Sequence, residues 1–444
     1  MIQKDLTEGK VSKQILEFAV PMLLGNIFQQ LYNIVDSIVV GKFLGNTALA
    51  AVGASFPIIF LLISLGFGVT MGGTISISHF FGAGQKENVR KTVDTMNIFI
   101  LFVSIAFAII GIVFSDGIFR LISLPEEVIP MASEYLVIYM YGLPFFFGFV
   151  NISATLRGVG DSKTPLYLLI FSTVINIILD LVFVLVFKMG VGSVALATII
   201  SQAIAYFAAL YLMRKDEMLR FQLKKITFDW PIFNKSIKIG IPSGIQHVLF
   251  SLGMMAIFAI VNKFGVKVIA AYSGAMRLDS LAVIPAMNLS NALSTFVGQN
   301  MGAGKISRIK EGLNITLKVS VIISLAITIL FYFFGTDFMK MFTDDPQVAF
   351  YGNEYLVISS AFYIVFSGLF CYSAVMRGAG DVMIPMFITI ISLWLIRIPF
   401  AYFLAPYMAE NAVWWSAPAG WTVGLIMTYF YYKTGRWHQR FKLL

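Results

Sequence analysis

One cysteine and three histidines are spread over 444 residues, too few and too scattered for several kinds of chemistry. Cys371 stands alone in an apolar run, which excludes a disulfide framework within the chain. His79, His247 and His438 are far apart. No metal cluster and no nucleophile–base pair is grouped, which argues against an intramembrane enzyme. Charge is scarce as well. Charged residues make up 12% of the chain, about half of the roughly 25% usual in soluble proteins. Hydrophobic residues make up 58% and the mean hydropathy is +0.84, so the sequence belongs to the membrane class. No cleavable leader is expected, because the first dozen residues are polar and the first apolar run is a full span. One glycine-rich stretch, RGVGDSKTP at 157–165, resembles a phosphate-binding loop. It has no strand before it and lacks the GK[ST] spacing, so a nucleotide site is excluded.

What the chain has in abundance is apolar runs of spanning length. Twelve helices are predicted, at 15–40, 51–78, 93–115, 132–155, 165–187, 193–213, 242–262, 268–298, 313–335, 354–376, 384–404 and 414–432. With both termini cytoplasmic, 23 Lys and Arg fall on the cytoplasmic side. Only Lys42, Arg120, Lys188, Lys263, Lys267 and Lys340 fall opposite. That asymmetry sets the orientation and accounts for the net charge of +9 without nucleic acid.

The chain repeats itself. RGVGDSKTP has a twin, RGAGDVMIP at 377–385, and FGAGQKENVRK at 81–91 matches MGAGKISRIKE at 301–311. Ala50-Ala51 matches Ala270-Ala271, and EYLVIYM at 134–140 matches EYLVISS at 354–360. All four pairs share an offset of 220 residues, the mark of duplication. Six spans per half make the repeats parallel, related by an axis along the membrane normal. The expected fold is therefore all-α and integral to the membrane, with twelve transmembrane helices in two pseudo-symmetric six-helix bundles around a central cavity. The expected division is an N-terminal lobe at 1–213, a cytoplasmic linker at 214–240 and a C-terminal lobe at 241–444. Pro21 and Pro242 are expected to start the first helix of each half, and Pro57 and Pro144 to kink theirs.

Ionisable residues at membrane depth face a cavity or a partner. Asp36 lies 15 residues after Pro21, and Asp180 lies 15 after Pro165. Both helices start at the cytoplasm, so both carboxyls sit about 22 Å up at matching depth. Asn176 shares a helix face with Asp180, and Thr198 on the sixth helix reaches a similar level. Such an oxygen-rich site can bind Na⁺ or hold a proton, or else the acids simply pair with helix dipoles or water. At the offset of 220 the two acids become Ala256 and Phe400, so cation chemistry is concentrated in the first half. The second half instead has Arg277 and Asp279 on the eighth helix and Arg397 on the eleventh. They either pair structurally, as Asp279–Arg397 or Asp279–Arg277, or take part in coupling. Phe28, Tyr32 and Asp36 recur every four residues. With Tyr139, Met254, Met255 and Met276 they are candidates for substrate contact or for plain helix packing.

Taken together, the twelve spans, the paired GAG and RGxGD loops, VGQNMGAG at 297–304 and the acid on the first helix resemble the multidrug and toxic compound extrusion transporters over nearly the whole chain. The resemblance is to the prokaryotic branch with DNA-damage-inducible members, and it implies a cation site at Asp36, Asn176, Asp180 and Thr198. The branch that uses acids on the seventh and tenth helices is not matched, since the seventh has none and the tenth only Glu354 at its start. The implied function is export of hydrophobic, often cationic organic compounds against Na⁺ or H⁺, with no organic cofactor. The setting is the inner (cell) membrane of a bacterium or archaeon, with the protein a monomer partnered by small drug-like molecules and lipid. A lipid-linked saccharide flippase of the same superfamily is the alternative, for which Arg277 and Arg397 speak. A passive channel fits duplicated bundles with buried acids less well.

Overall fold

The computed structural model describes residues 4–121, 124–220 and 226–439, apart from the side chains of Asn33, Asn46 and Leu65. Residues 221–225 of the expected linker lie outside the described residues, as do Arg440 and Lys442. Among the described residues every regular element is helical. The first six spans are Val11–Val39, Asn46–Gly82, Lys86–Leu121, Ile129–Gly158, Lys163–Leu181 and Gly192–Met213. The next three are Trp230–Val261, Val266–Gly302 and Ile306–Lys340. The tenth consists of Pro346–Ala361 and Tyr363–Gly378, bent by 48°. The eleventh runs Met383–Ile390, then a π-helical stretch Ile391–Arg397, then Ile398–Met408, and the twelfth is Asn411–Lys433. Nine of these pass for length and hydropathy, and the bent pair makes a tenth. The first and last, 29 and 23 residues long, also exceed the roughly 20 residues a span requires. Among the described residues the protein is all-α, an integral membrane protein with twelve helices of spanning length.

Two boundaries differ from expectation. The first helix begins at Val11 and the seventh at Trp230, so Pro21 and Pro242 lie inside helices rather than opening them. A membrane helix continues through proline when neighbours satisfy the carbonyl it frees. By packing, the chain divides into two units, Val20–Gly244 forming the bulk of one and Leu6–Ala19 with Ile245 onward the other. The start of each half's first helix thus packs with residues of the opposite half.

In unit 1 the fourth span runs through the interior. Ala132, Leu136, Met140, Leu143 and Phe147, spaced three or four apart, are all buried. The second and seventh spans cross closely through small residues four apart on each helix. A Cβ on Gly68 would lie 2.3 Å from Gly244 Cα, and one on Gly72 would lie 2.1 Å from the Ser236 carbonyl oxygen. Ser236 Oγ donates to Ser76 Oγ at 3.0 Å. Small residues at this spacing let membrane helices approach backbone to backbone. Unit 2 has two apolar clusters, one around Ile15, Phe296 and Trp437 and one around Tyr272, Tyr355 and Trp414.

The repeat is visible in the backbone. Gly84, Gly160, Gly304 and Gly380 all take left-handed φ, from 70° to 88°. Each closes a helix with the same two bonds. In the RGVGD turn, Gly160 N donates to Arg157 O at 2.9 Å and Asp161 N to Leu156 O at 2.8 Å. This is the Schellman closure. Asp161 then caps the fifth span, accepting from Lys163 N and Thr164 N at 3.1 and 2.9 Å. The RGVGDSKTP loop therefore ends one helix and starts the next. A Cβ on Gly160 would fall 2.1 Å from Lys4 O, whereas one on Gly84 meets nothing within 4 Å. Gly84→Ala is expected to cost only the left-handed strain of about 1–2 kcal/mol. Gly160→Ala should cost clearly more, because the Lys4 backbone must also move. Thermal denaturation of the two detergent-purified variants checks the order.

Candidate functional site

The first span carries Asp36 near its end, and the helix then loosens into a π turn at Val40–Leu44. The fifth span carries Asp180 one residue before its end, followed by a second π turn at Val182–Val186. Such turns recur at functional sites. Asp36 and Asp180 meet within unit 1, their carboxyls in hydrogen-bond contact. Two carboxyls so placed cannot both be ionised unless a cation bridges them, and a direct hydrogen bond requires one proton between them. Asp180 is fully buried and Asp36 partly so.

Oxygen and amide groups surround the pair. Tyr32 Oη and Thr198 Oγ1 are 2.9 Å apart. The Asn176 amide can be assigned in two orientations that differ in its hydrogen bonds. In one, its nitrogen donates to Thr198 Oγ1 at 3.4 Å. In the other it donates to Asp180 Oδ2 at 3.1 Å, and its oxygen accepts from Thr198 N at 3.3 Å. The second satisfies both ends of the amide and is the better network. Asp36 Oδ1 and Asp180 Oδ1 have no hydrogen-bond partner among the described residues. Among the described residues, no lysine, arginine or histidine acts electrostatically on either acid. The cluster is a set of hard oxygens with surplus negative charge, suited to a proton or a small hard cation. No group of three or more His, Cys, Asp and Glu side chains that could hold a metal ion occurs among the described residues.

The structure brings together all four expected cation-site residues, with Tyr32 beside them. Two further contributors, Tyr135 and Gln202, had not been expected. Tyr135 and Tyr139 stack at 6.4 Å on the fourth span, and Asp36 acts electrostatically on both. Gln202, one turn beyond Thr198, hydrogen-bonds Tyr139. The four-residue step from Thr198 to Gln202 was the available signal for that residue. Phe28 lies one turn before Tyr32, partly buried.

Unit 2 is arranged differently. Arg277 is exposed, while Asp279 and Arg397 are buried. Neither expected ion pair, Asp279–Arg397 or Asp279–Arg277, forms. Tyr363 Oη instead donates to Asp279 Oδ1 at 2.6 Å, and Arg397 Nη1 meets Met254 Sδ at 3.5 Å. A phenol at donor distance satisfies a buried carboxyl without holding a second charge in hydrocarbon. Tyr363→Phe is expected to destabilise the protein by about 1–3 kcal/mol by leaving that oxygen unpaired. Adding Asp279→Asn should recover part of the loss, as a thermal-denaturation double-mutant cycle would read. Met254, Met255 and Met276 line a cavity of about 440 Å³ in this unit, together with Phe258 and Tyr272.

Comparison with known proteins places the chain. The MatE family model matches residues 21–182 and 242–403, once in each half. The probable multidrug resistance protein YpnP of Bacillus subtilis is 32% identical over 98% of this chain and 97% of its own. The probable multidrug resistance protein YoeA of the same organism is 33% identical over 98% and 96%. A crystal structure of MATE in the bent conformation shares the fold at a TM-score of 0.92, with 23% identity over 97% of this chain and 96% of its own. With both halves matched and relatives similar end to end, the chain belongs to the MatE family of multidrug and toxic compound extrusion transporters.

Proposed function

We propose that this protein is a secondary active exporter that expels hydrophobic, cationic organic compounds in exchange for inward Na⁺ or H⁺. It is a transport protein rather than an enzyme. The observation that carries the reading is the contact between Asp36 and Asp180 with no basic residue among the described residues to neutralise them. A buried acid pair without a resident counter-ion has affinity for whatever cation can reach it. Asp36, the more exposed of the two, is where an ion arrives, and Asp180 is where its charge is held. Asn176 and Thr198 orient Asp180 and supply neutral oxygens. Phe28, Tyr32 and Tyr139 offer aromatic faces to an organic cation, and Met254, Met255 and Met276 offer an adaptable apolar wall.

Exchange follows from charge. Once the pair holds an ion, its remaining negative charge is reduced and an organic cation is bound less well. By linkage, the bound drug weakens the ion to the same degree. Alternating access of the two lobes turns that competition into counter-transport. In this reading both termini are cytoplasmic, the membrane is the cell membrane, and the monomer is the working unit.

The test is ethidium export from proteoliposomes under separately imposed Na⁺ and pH gradients. Uphill export driven by one inward gradient, and absent when neither is imposed, is the expected result. Ethidium movement that only equilibrates, whatever the gradient, would contradict the exporter reading.

A further inference from the structure

The aromatic cluster of unit 2 contains buried hydrogen-bond donors that, among the described residues, have nothing to donate to. Arg397 is 6% exposed and its Nε has no partner. Tyr272 is 2% exposed and its hydroxyl has none, and the indole nitrogen of the fully buried Trp414 has none. The three are neighbours. The Tyr272 ring lies flat over Trp414, with centroids 5.8 Å apart and planes 10° from parallel, and Arg397 acts electrostatically on Tyr272. A buried polar group without a partner costs about 1–3 kcal/mol, more when it is charged, so three together call for an explanation.

The acceptor that could have served them is engaged elsewhere. Asp279 takes its hydrogen bond from Tyr363, and Arg397 acts on it only through its charge. The guanidinium reaches Met254 Sδ through Nη1 at 3.5 Å. A thioether is a weak acceptor on a flexible chain, a poor match for a group suited to bidentate carboxylates. Met254 and Tyr272 both line the cavity of about 440 Å³, beside Met255, Phe258 and Met276. That volume falls in the range of small-molecule sites. Arg397 itself closes a π-helical stretch, Ile391–Arg397.

We propose that Arg397 and Tyr272, with Trp414 stacked against Tyr272, form an oxyanion receptor at the wall of this cavity, taking the carboxylate of an aromatic molecule whose apolar body fills the methionine-lined space. Met254 swings aside and the carboxylate replaces its sulfur on the guanidinium. As a binding site this is independent of transport. As a substrate site it rests on the exporter reading and assigns recognition of an anionic head group to these residues.

The test uses three fluorescent probes with one ring system and different heads: pyrenebutyrate, pyrenebutanol and pyrenebutylamine. Binding to the full-length purified protein is followed in detergent. The wild type is expected to bind pyrenebutyrate about tenfold or more tightly than pyrenebutanol, the gain of a charge-assisted hydrogen bond. Pyrenebutylamine, which brings a second cation to the guanidinium, should bind no better than the alcohol. Arg397→Gln should erase the preference for the acid while leaving pyrenebutanol unchanged. Tyr272→Phe, which deletes only an unpartnered hydroxyl and keeps the ring stack, should melt like the wild type and reduce the preference several-fold. Equal binding of acid and alcohol by the wild type overturns the proposal. So does a preference that survives in Arg397→Gln, or one that is undiminished in Tyr272→Phe should Arg397→Gln fail to fold. Loss of ethidium export with an intact pyrenebutyrate preference would sink the exporter reading and leave this site standing.

Discussion

Asp36→Asn and Asp180→Asn are each expected to abolish uphill export of ethidium by the reconstituted protein, by about a hundredfold, and to leave the thermal midpoint unchanged or raised. Asparagine keeps the shape of aspartate and removes its charge. In either variant the carboxyl contact becomes an amide–carboxyl contact, which needs no shared proton and carries no repulsion, so folding does not suffer. What disappears is the second negative charge, and with it the competition between ion and organic cation. Coupling free energies between sites are typically about 1–3 kcal/mol, or factors of roughly 5 to 150, so a hundredfold loss corresponds to removing the coupling whole. Initial rates of dye accumulation against a gradient, alongside thermal denaturation of the same preparations, give both numbers. Uphill export at the wild-type rate in both variants would remove the acid pair from the mechanism.

The largest structural loss is expected from Gly72→Leu and Gly68→Leu at the crossing of the second and seventh spans. The new Cβ atoms meet backbone: Ser236 O at 2.1 Å in one case, Gly244 Cα and N at 2.3 Å in the other. A side chain can rotate away, but a neighbouring helix backbone cannot move without undoing the Gly68–Gly72–Ser76 against Ser236–Gly240–Gly244 seam. Overpacking a core costs about 1–3 kcal/mol when side chains give, and rigid backbone puts these variants at or above the top of that range. Gly53→Leu is the control, since a Cβ there meets nothing within 4 Å and glycine within a helix costs about 1 kcal/mol relative to alanine. Yield of monodisperse protein and its thermal midpoint should fall sharply for positions 68 and 72 and hold or rise for 53. Wild-type behaviour of Gly72→Leu would mean that the two spans do not cross there.

The cation cluster was legible because both acids stand a fixed distance along their helices from a proline, and the α-helical rise converts that distance into depth. The measure holds even though Pro21 lies inside its helix, since depth depends on the span between Pro21 and Asp36, not on where the helix begins. Tyr135 and Gln202 were missed because helix–helix register decides which tyrosine of EYLVIYM turns toward Asp36, and a single sequence carries no such register. The π turns after Asp36 and Asp180 were hidden for a related reason: an extra residue in a helical turn leaves no mark on composition or on apolar periodicity. The Gly68–Gly72–Ser76 seam was readable in principle as small residues four apart, but its partner lies far away in sequence. In unit 2, opposite charge led to the expectation of an Asp279–arginine pair. A tyrosine took that acid instead, because a neutral donor satisfies a buried carboxyl at less desolvation cost than a second ion.

The most direct measurement on the Asp36–Asp180 site is ion release evoked by substrate. Tetraphenylphosphonium is added to purified protein in weakly buffered detergent, while protons are followed with an indicator dye and bound Na⁺ with radioactive tracer. A shared site predicts that binding of the organic cation displaces about one ion of a single kind from the wild type, and none from Asp36→Asn or Asp180→Asn. Saturable binding of tetraphenylphosphonium to the wild type with no release of either ion, or release undiminished in both variants, would contradict it.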